Sequence, residues 1–206
     1  MFSERTTNVL YLITNRKIIK QGNLYSIVES AVIGGIDRVI LREKDLSYEK
    51  LLLTASILKP ILSKYNVPLI INTNLEVAKS LNADGFHIGF QNIKNKKIEF
   101  KGILGISVHN LEEAIAAENL GADYLLAGHI YKTDCKKGLK PKGIKLIKDI
   151  KANVNIPVIA LGGINEKNAP EVISAGADGI AVMSYIMSSK FPYLSAKILK
   201  SAITLK

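Results

Sequence analysis

The sequence predicts a single (β/α)8 TIM barrel over residues 1–206, and three observations predict it. Short β-branched runs alternate with longer amphipathic segments along the whole 206 residues. Most of the short runs are continuously apolar, as parallel strands buried on both faces require. A motif also recurs between a helix and the next strand: Gly34-Gly35-Ile36-Asp37, Asn82-Ala83-Asp84-Gly85, Gly121-Ala122-Asp123-Tyr124 and Gly176-Ala177-Asp178-Gly179. In each copy a glycine or asparagine can cap the helix C-terminus, and the acidic residue turns the chain into the strand. Eight strand–helix units in about 200 residues lie near the lower end of this fold's size range. No linker or shift of composition divides the chain, so one domain is expected. A doubly wound open sheet is the alternative, because periodicity cannot count strands into a closed ring.

In chain order, a first apolar strand at Val9–Thr14 leads to an amphipathic segment at Leu24–Ile33. Arg38–Arg42 leads to Tyr48–Tyr65, and Pro68–Asn72 leads to Leu75–Leu81. Strands at Gly85–Ile88 and Ile103–Val108 precede a helical segment at Leu111–Leu120. Tyr124–Gly128 then pairs with Ile144–Ile150, and Pro157–Leu161 with Ala169–Ala175. Gly179–Met183 is the eighth strand; Met183-Ser184 opens a short helix, and a last helix runs from Ser189 to Ile203.

Composition bounds the function. A chain of this length buries roughly 70% of its unfolded surface, so the core needs no staples. Cys135 is the one cysteine, which excludes an intramolecular disulfide framework and fits a reducing compartment. The N-terminus lacks a signal-peptide layout, and no apolar run approaches the ~20 residues that span a bilayer. A cytoplasmic protein without membrane contact is expected. The net charge of +10 invites a nucleic-acid partner. However, the lysines are scattered, and the densest cluster, Lys94 to Lys101, holds one aromatic, Phe100, in a chain without tryptophan. A solvated basic face, or a phosphorylated small-molecule substrate, accounts for the charge better.

In a barrel of this kind the chemistry sits on the loops that follow the strands. Those positions carry Thr14-Asn15, Arg42-Glu43-Lys44, Asn72-Thr73-Asn74, Gly89-Phe90-Gln91, Ser107-Val108-His109, His129, Gly162-Gly163-Ile164-Asn165 and Ser184. Gly162 and Gly163 let backbone amides approach an anion without a Cβ in the way, or form a plain turn. Met183 and Ser184 would bring a helix start to the same point. Alternation points Arg42 and Lys44 toward one anionic substrate and Glu43 elsewhere as a structural partner. Asn72 is either a helix N-cap or a hydrogen-bonder to a heterocycle. His87 reads as structural, the neighbourhood of His109 as a helix cap, and Ser107 as a ligand candidate. His129, at a strand tip before a loop of lysines and a threonine, is either an acid–base or a hydrogen-bonding residue. Cys135, between Asp134 and Lys136, reads as a loop thiol with no partner base.

Taken together, Tyr11-Leu12-Ile13-Thr14, Leu41-Arg42-Glu43-Lys44, Asn72, Ala83 to Gly89, Ser107 to Ala114, Ala160 to Asn165 and Ala175 to Ser184 resemble the thiamine phosphate synthase superfamily. That resemblance covers nearly the whole chain and implies one of two activities. The synthase condenses a pyrimidine diphosphate with a thiazole phosphate and holds magnesium on two aspartates. The matching positions here are Thr73 and Asn92, and the synthase's Gly-Pro after the sixth strand is Gly128-His129. Neutral side chains are poor magnesium ligands. The run Gly128-His129-Ile130-Tyr131-Lys132-Thr133-Asp134-Cys135-Lys136-Lys137-Gly138 instead looks like the TenI-type thiazole tautomerase. The expectation is therefore an isomerase with His129 as the acid–base and no cofactor, magnesium entering only if the transferase alternative holds. The resemblance places phosphate on Gly162, Gly163, Met183 and Ser184, and the carboxylate and ring of the thiazole on Arg42, Lys44, Asn72 and Ser107. It leaves a non-catalytic binder of thiazole phosphate as a further alternative, and it implies a possible homodimer.

Overall fold

Eight parallel strands close into a barrel in sequence order. A computed structural model describes residues 7–93, 97–133 and 138–204. The strands are β1 (Val9–Ile13), β2 (Arg38–Leu41), β3 (Leu69–Asn72), β4 (Gly85–Gly89), β5 (Ile103–Val108), β6 (Tyr124–Gly128), β7 (Val158–Leu161) and β8 (Gly179–Val182). β1 pairs with both β2 and β8, which excludes the open sheet. The helices are α1 (Leu24–Ile33), α2 (Tyr48–Ser63), α3 (Leu75–Ser80), α4 (Leu111–Asn119), α5 (Gly143–Lys151), α6 (Ala169–Ser174), α7 (Ser184–Met187) and α8 (Pro192–Thr204).

The continuous apolar strands serve two cores, because successive side chains point to opposite faces of the sheet. Val9, Tyr11, Ile13, Ile40, Ile70, Tyr124, Leu126, Ile159 and Ala181 fill the barrel interior. Leu10, Leu12, Val39, Leu41, Leu69 and Ile71 pack outward against the helices. One strand–helix unit is incomplete. Among the described residues, the connection after β4 forms a 3-10 turn over Phe90–Asn92 and no α-helix, and Ile98 and Phe100 pack against the core there. The Phe100 ring lies 6.0 Å from that of Phe86.

The recurrent motif does two jobs. Its Gly35, Asn82, Gly121 and Gly176 all take positive φ, from 47° to 113°, just past the ends of α1, α3, α4 and α6. That left-handed step satisfies the last helical carbonyls, and glycine or asparagine takes it at low cost. Its aspartates do more than turn the chain. Each precedes an even-numbered strand, and its Oδ2 accepts the amide of a residue at the start of the strand before. Leu10 N donates to Asp37 at 2.7 Å, Leu69 N to Asp84 at 2.8 Å, Leu104 N to Asp123 at 2.6 Å and Val158 N to Asp178 at 2.7 Å. These are charge-assisted bonds to backbone groups that burial would otherwise leave costly. Lys200 Nζ also reaches Asp37 at 2.6 Å, and Lys151 Nζ reaches Asp178 at 2.9 Å. The N-terminal end of the barrel is thereby stapled in pairs of strands.

Candidate active site

A cavity of about 320 Å³ opens at the opposite end, among the C-terminal tips of the strands. Arg42, Lys44, Asn72, Ser107, His129, Gly162, Gly163, Met183 and Ser184 all line it. These nine are the residues expected from the strand ends, so the barrel brings the whole set together.

The β1 and β2 tips are held by Glu43, which is 5% exposed. Thr14 Oγ1 donates to its Oε1 at 2.7 Å, and the Arg16 amide donates to both oxygens at 3.1 Å. Arg16 Nη1 adds a further bond to Oε2 at 3.0 Å. The Arg42 amide in turn donates to Thr14 Oγ1 at 3.0 Å. With Glu43 spent on β1, the flanking Arg42 and Lys44, both just past the end of β2, line the cavity. Arg16 and Lys17 pair with Asp45, whereas Arg42 and Lys44 form no ion pair among the described residues. Two uncompensated cations on one wall favour an anionic ligand.

Asn72 ends β3 and donates from Nδ2 to Thr73 Oγ1 at 2.6 Å. Capping of α3 belongs instead to Asn74, whose Oδ1 accepts the Val77 amide at 3.0 Å. Thr73 sits at φ 70°, a left-handed conformation that a β-branched residue rarely takes. Similarly, Asn110 and not His109 caps α4. The His109 amide donates to Glu113 Oε2 at 2.8 Å, and its ring also lines the cavity. His109, Thr133 and Tyr185 are cavity residues that reading the strand ends did not select, although His109 directly follows β5.

His87 lies on β4 and is 2% exposed. Its Nδ1 is 2.9 Å from the Tyr124 hydroxyl and its Nε2 is 2.7 Å from Ser107 Oγ. Burial pushes its pKa down to about 3, so the ring is neutral. The ring is held inside the barrel by these two partners, yet the residue also borders the cavity. His129 is 4% exposed at the tip of β6, where the Gly128–His129 peptide bond is cis. Its Nε2 lies 3.3 Å from the Leu139 carbonyl oxygen.

Gly162 and Gly163 both have positive φ, 104° and 68°. A Cβ on Gly162 would overlap the Cβ and Cα of His129, and one on Gly163 would press on Lys132 O and Tyr131 Cβ. The pair is thus required for the β7 loop to lie against the β6 loop, as well as for access to its amides. Neither amide donates to a protein acceptor among the described residues. α7 begins at Ser184 and is four residues long.

Thr73 and Asn92, the positions where the resemblance puts aspartates, both line the cavity. No described carboxylate lines it, and the described residues hold no cluster of three metal-ligating His, Cys, Asp or Glu. Cys135, Asp134 and Lys136 lie outside the described residues, as do Lys94 to Lys96 of the basic cluster.

Known proteins match this chain closely. It is 44% identical to the thiamine-phosphate synthase of Clostridium acetobutylicum over 185 residues, 88% of each chain. It is 41% identical to the thiamine-phosphate synthase of Clostridium tetani over 194 residues, covering 92% of this chain and 93% of that one. The solved thiamine phosphate pyrophosphorylase of Pyrococcus furiosus superposes with a TM-score of 0.84 at 31% identity, covering 98% of each chain. These relatives overturn the expectation of a thiazole tautomerase and reverse the order of isomerase and transferase. That expectation weighed Thr73, Asn92 and the segment around His129 above the rest of the barrel, whereas the likeness to the synthases runs through all of it. The model of the thiamine monophosphate synthase family matches residues 10–186, and the chain belongs to that family.

Proposed function

We propose that the protein is a transferase, a thiamine-phosphate synthase that joins a phosphorylated thiazole to a pyrimidine carried as its diphosphate. The relatives' names support the reaction. The observation that carries it is one cavity with two corners suited to anions. Arg42 and Lys44 form one, and the free amides of Gly162 and Gly163 form the other. Two phosphorylated substrates need two such corners.

In the condensation the thiazole nitrogen uses its lone pair to bond the carbon that carries the diphosphate. The C–O bond to the diphosphate breaks, and its electron pair leaves with that group. Arg42 and Lys44 stabilise the charge that develops on the departing diphosphate. Gly162 and Gly163 hold the thiazole phosphate, with Met183 and Ser184 beside them, Asn72 orients the rings, and Ser107 supplies a further polar group to the ligands. The condensation requires no proton transfer, so the acid–base task assigned to His129 falls away with the tautomerase. The imidazole remains as a hydrogen-bonding wall of the cavity. Magnesium is the ion a synthase implies, but the donors here do not fit one held by the protein: Thr73 and Asn92 are neutral, and no described carboxylate faces the space.

A cytoplasmic location and a small-molecule partner, without nucleic acid, complete the reading. No helix among the described residues is long and apolar enough to cross a membrane. The test is formation of thiamine phosphate from the two precursors, with magnesium present and a no-enzyme control. Steady product formation that Arg42→Ala abolishes is the expected result; no product above the control sinks the synthase. The absence of carboxylates from the cavity among the described residues favours one second reading, a thiazole-phosphate-binding protein without turnover. Calorimetric binding of the thiazole phosphate in the absence of product would select it.

A further inference from the structure

We propose that His87 is a positioning residue that fixes the Ser107 hydroxyl as a hydrogen-bond donor to an anionic ligand oxygen in the cavity. Gly105 lies opposite Tyr124 in the β5–β6 register, and a Cβ there would overlap the Tyr124 ring and hydroxyl. The missing side chain lets that ring cross the barrel interior to His87 on the far side of β5.

The Tyr124 hydroxyl is deeply buried, and among the described residues its one hydrogen-bond partner is His87 Nδ1, at 2.9 Å. A buried O–H that donates to nothing is costly, so its proton goes to Nδ1. Nδ1 is then the acceptor, and the neutral ring carries its hydrogen on Nε2. That hydrogen is donated to Ser107 Oγ, 2.7 Å away. Ser107 thereby receives one bond from the core and keeps its own proton unspent. No other protein partner takes that proton among the described residues, and the side chain lines the cavity. Burial keeps the ring neutral near physiological pH, which prevents a second proton from erasing the order. Ser107 therefore offers the ligand a donor, as a phosphate or diphosphate oxygen needs. This deepens the reading above by naming what Ser107 presents, but the tautomer exists whether or not product forms.

Two measurements test it on the full chain. Nitrogen-15 NMR of the histidine rings should show His87 as the Nε2–H tautomer; an Nδ1–H tautomer overturns the proposal. Inorganic pyrophosphate binding, followed by calorimetry, should weaken about tenfold in Ser107→Ala and by a similar factor in His87→Gln. Since His87 acts through Ser107, the double variant should be no weaker than Ser107→Ala alone. Multiplying losses, or full affinity in either single variant, would overturn it. Should His87→Gln fail to fold, Tyr124→Phe replaces it, at a residue outside the cavity lining. That variant releases the constraint on Nδ1 and should weaken pyrophosphate several-fold in the wild-type background but not in Ser107→Ala. Unchanged affinity in the wild-type background again overturns the proposal.

Discussion

The two ends of the barrel solve opposite problems with the same raw material, charged and polar residues beside strands. At the N-terminal end four aspartates repeat one arrangement, and each is spent on a strand amide. At the C-terminal end no such arrangement recurs among the described residues, and the cations Arg42 and Lys44 are left without an ion pair there. Backbone conformation follows the same division. The non-glycine positive-φ residues of the stapled end are asparagines, Asn8, Asn66 and Asn82, whereas the cavity holds Thr73 at φ 70°. Stability needs the same bond at every pair of strands, so repetition serves it. Binding two different molecules needs one asymmetric space, which keeps charge and strain in reserve.

Removing one staple should produce the largest effect. Asp123→Ala strips the Leu104 amide of its acceptor and should cost about 3 kcal/mol in urea unfolding. Pyrophosphate affinity of the folded fraction should not change. Equal loss of affinity would mean that the two ends are coupled. The mirror experiment is Arg42→Ala, which should lower pyrophosphate affinity by about 2 kcal/mol while leaving the melting temperature within about a degree. A large drop in melting temperature would show that the guanidinium is structural after all.

His87 lies between the ends, and its titration reports on the interior. The folded pKa, about 3, lies below the unfolded value near 6.5. The unfolded chain therefore takes up a proton that the folded one refuses as pH falls. Stability from this group is complete above about pH 6.5 and is lost toward pH 3, at no more than about 1.4 kcal/mol per pH unit. Unfolding curves of His87→Gln should lack that component over the same window; identical slopes would refute a buried neutral ring. The smallest expected effect is a gain. Thr73→Asn suits the left-handed conformation and should stabilise the fold by about 1 kcal/mol. No gain would mean that the threonine side chain offsets its strain, for example through its bond from Asn72.

Much of this was legible before any tertiary structure. Boundaries of α1, β5 and β6 coincide with the apolar and amphipathic runs, and most others differ by one or two residues, where capping decides the last turn. The nine candidate residues could be picked out because strand tips are local features, and this fold gathers them around one cavity. Function was less legible. Three departures, at Thr73, Asn92 and His129, argued for a tautomerase, and likeness across 185 residues to a synthase outweighed them.

The sequence by itself determined the alternation of elements, the glycine and asparagine steps after helices and the residues available at each strand tip, because each depends on near neighbours. Only the tertiary structure decided what those residues touch. The staples join amides and carboxylates 15 to 27 residues apart. His87 meets Ser107 and Tyr124 across separations of 20 and 37 residues. Such pairs carry no periodic signal: their contact is set by strand register and by closure of the ring.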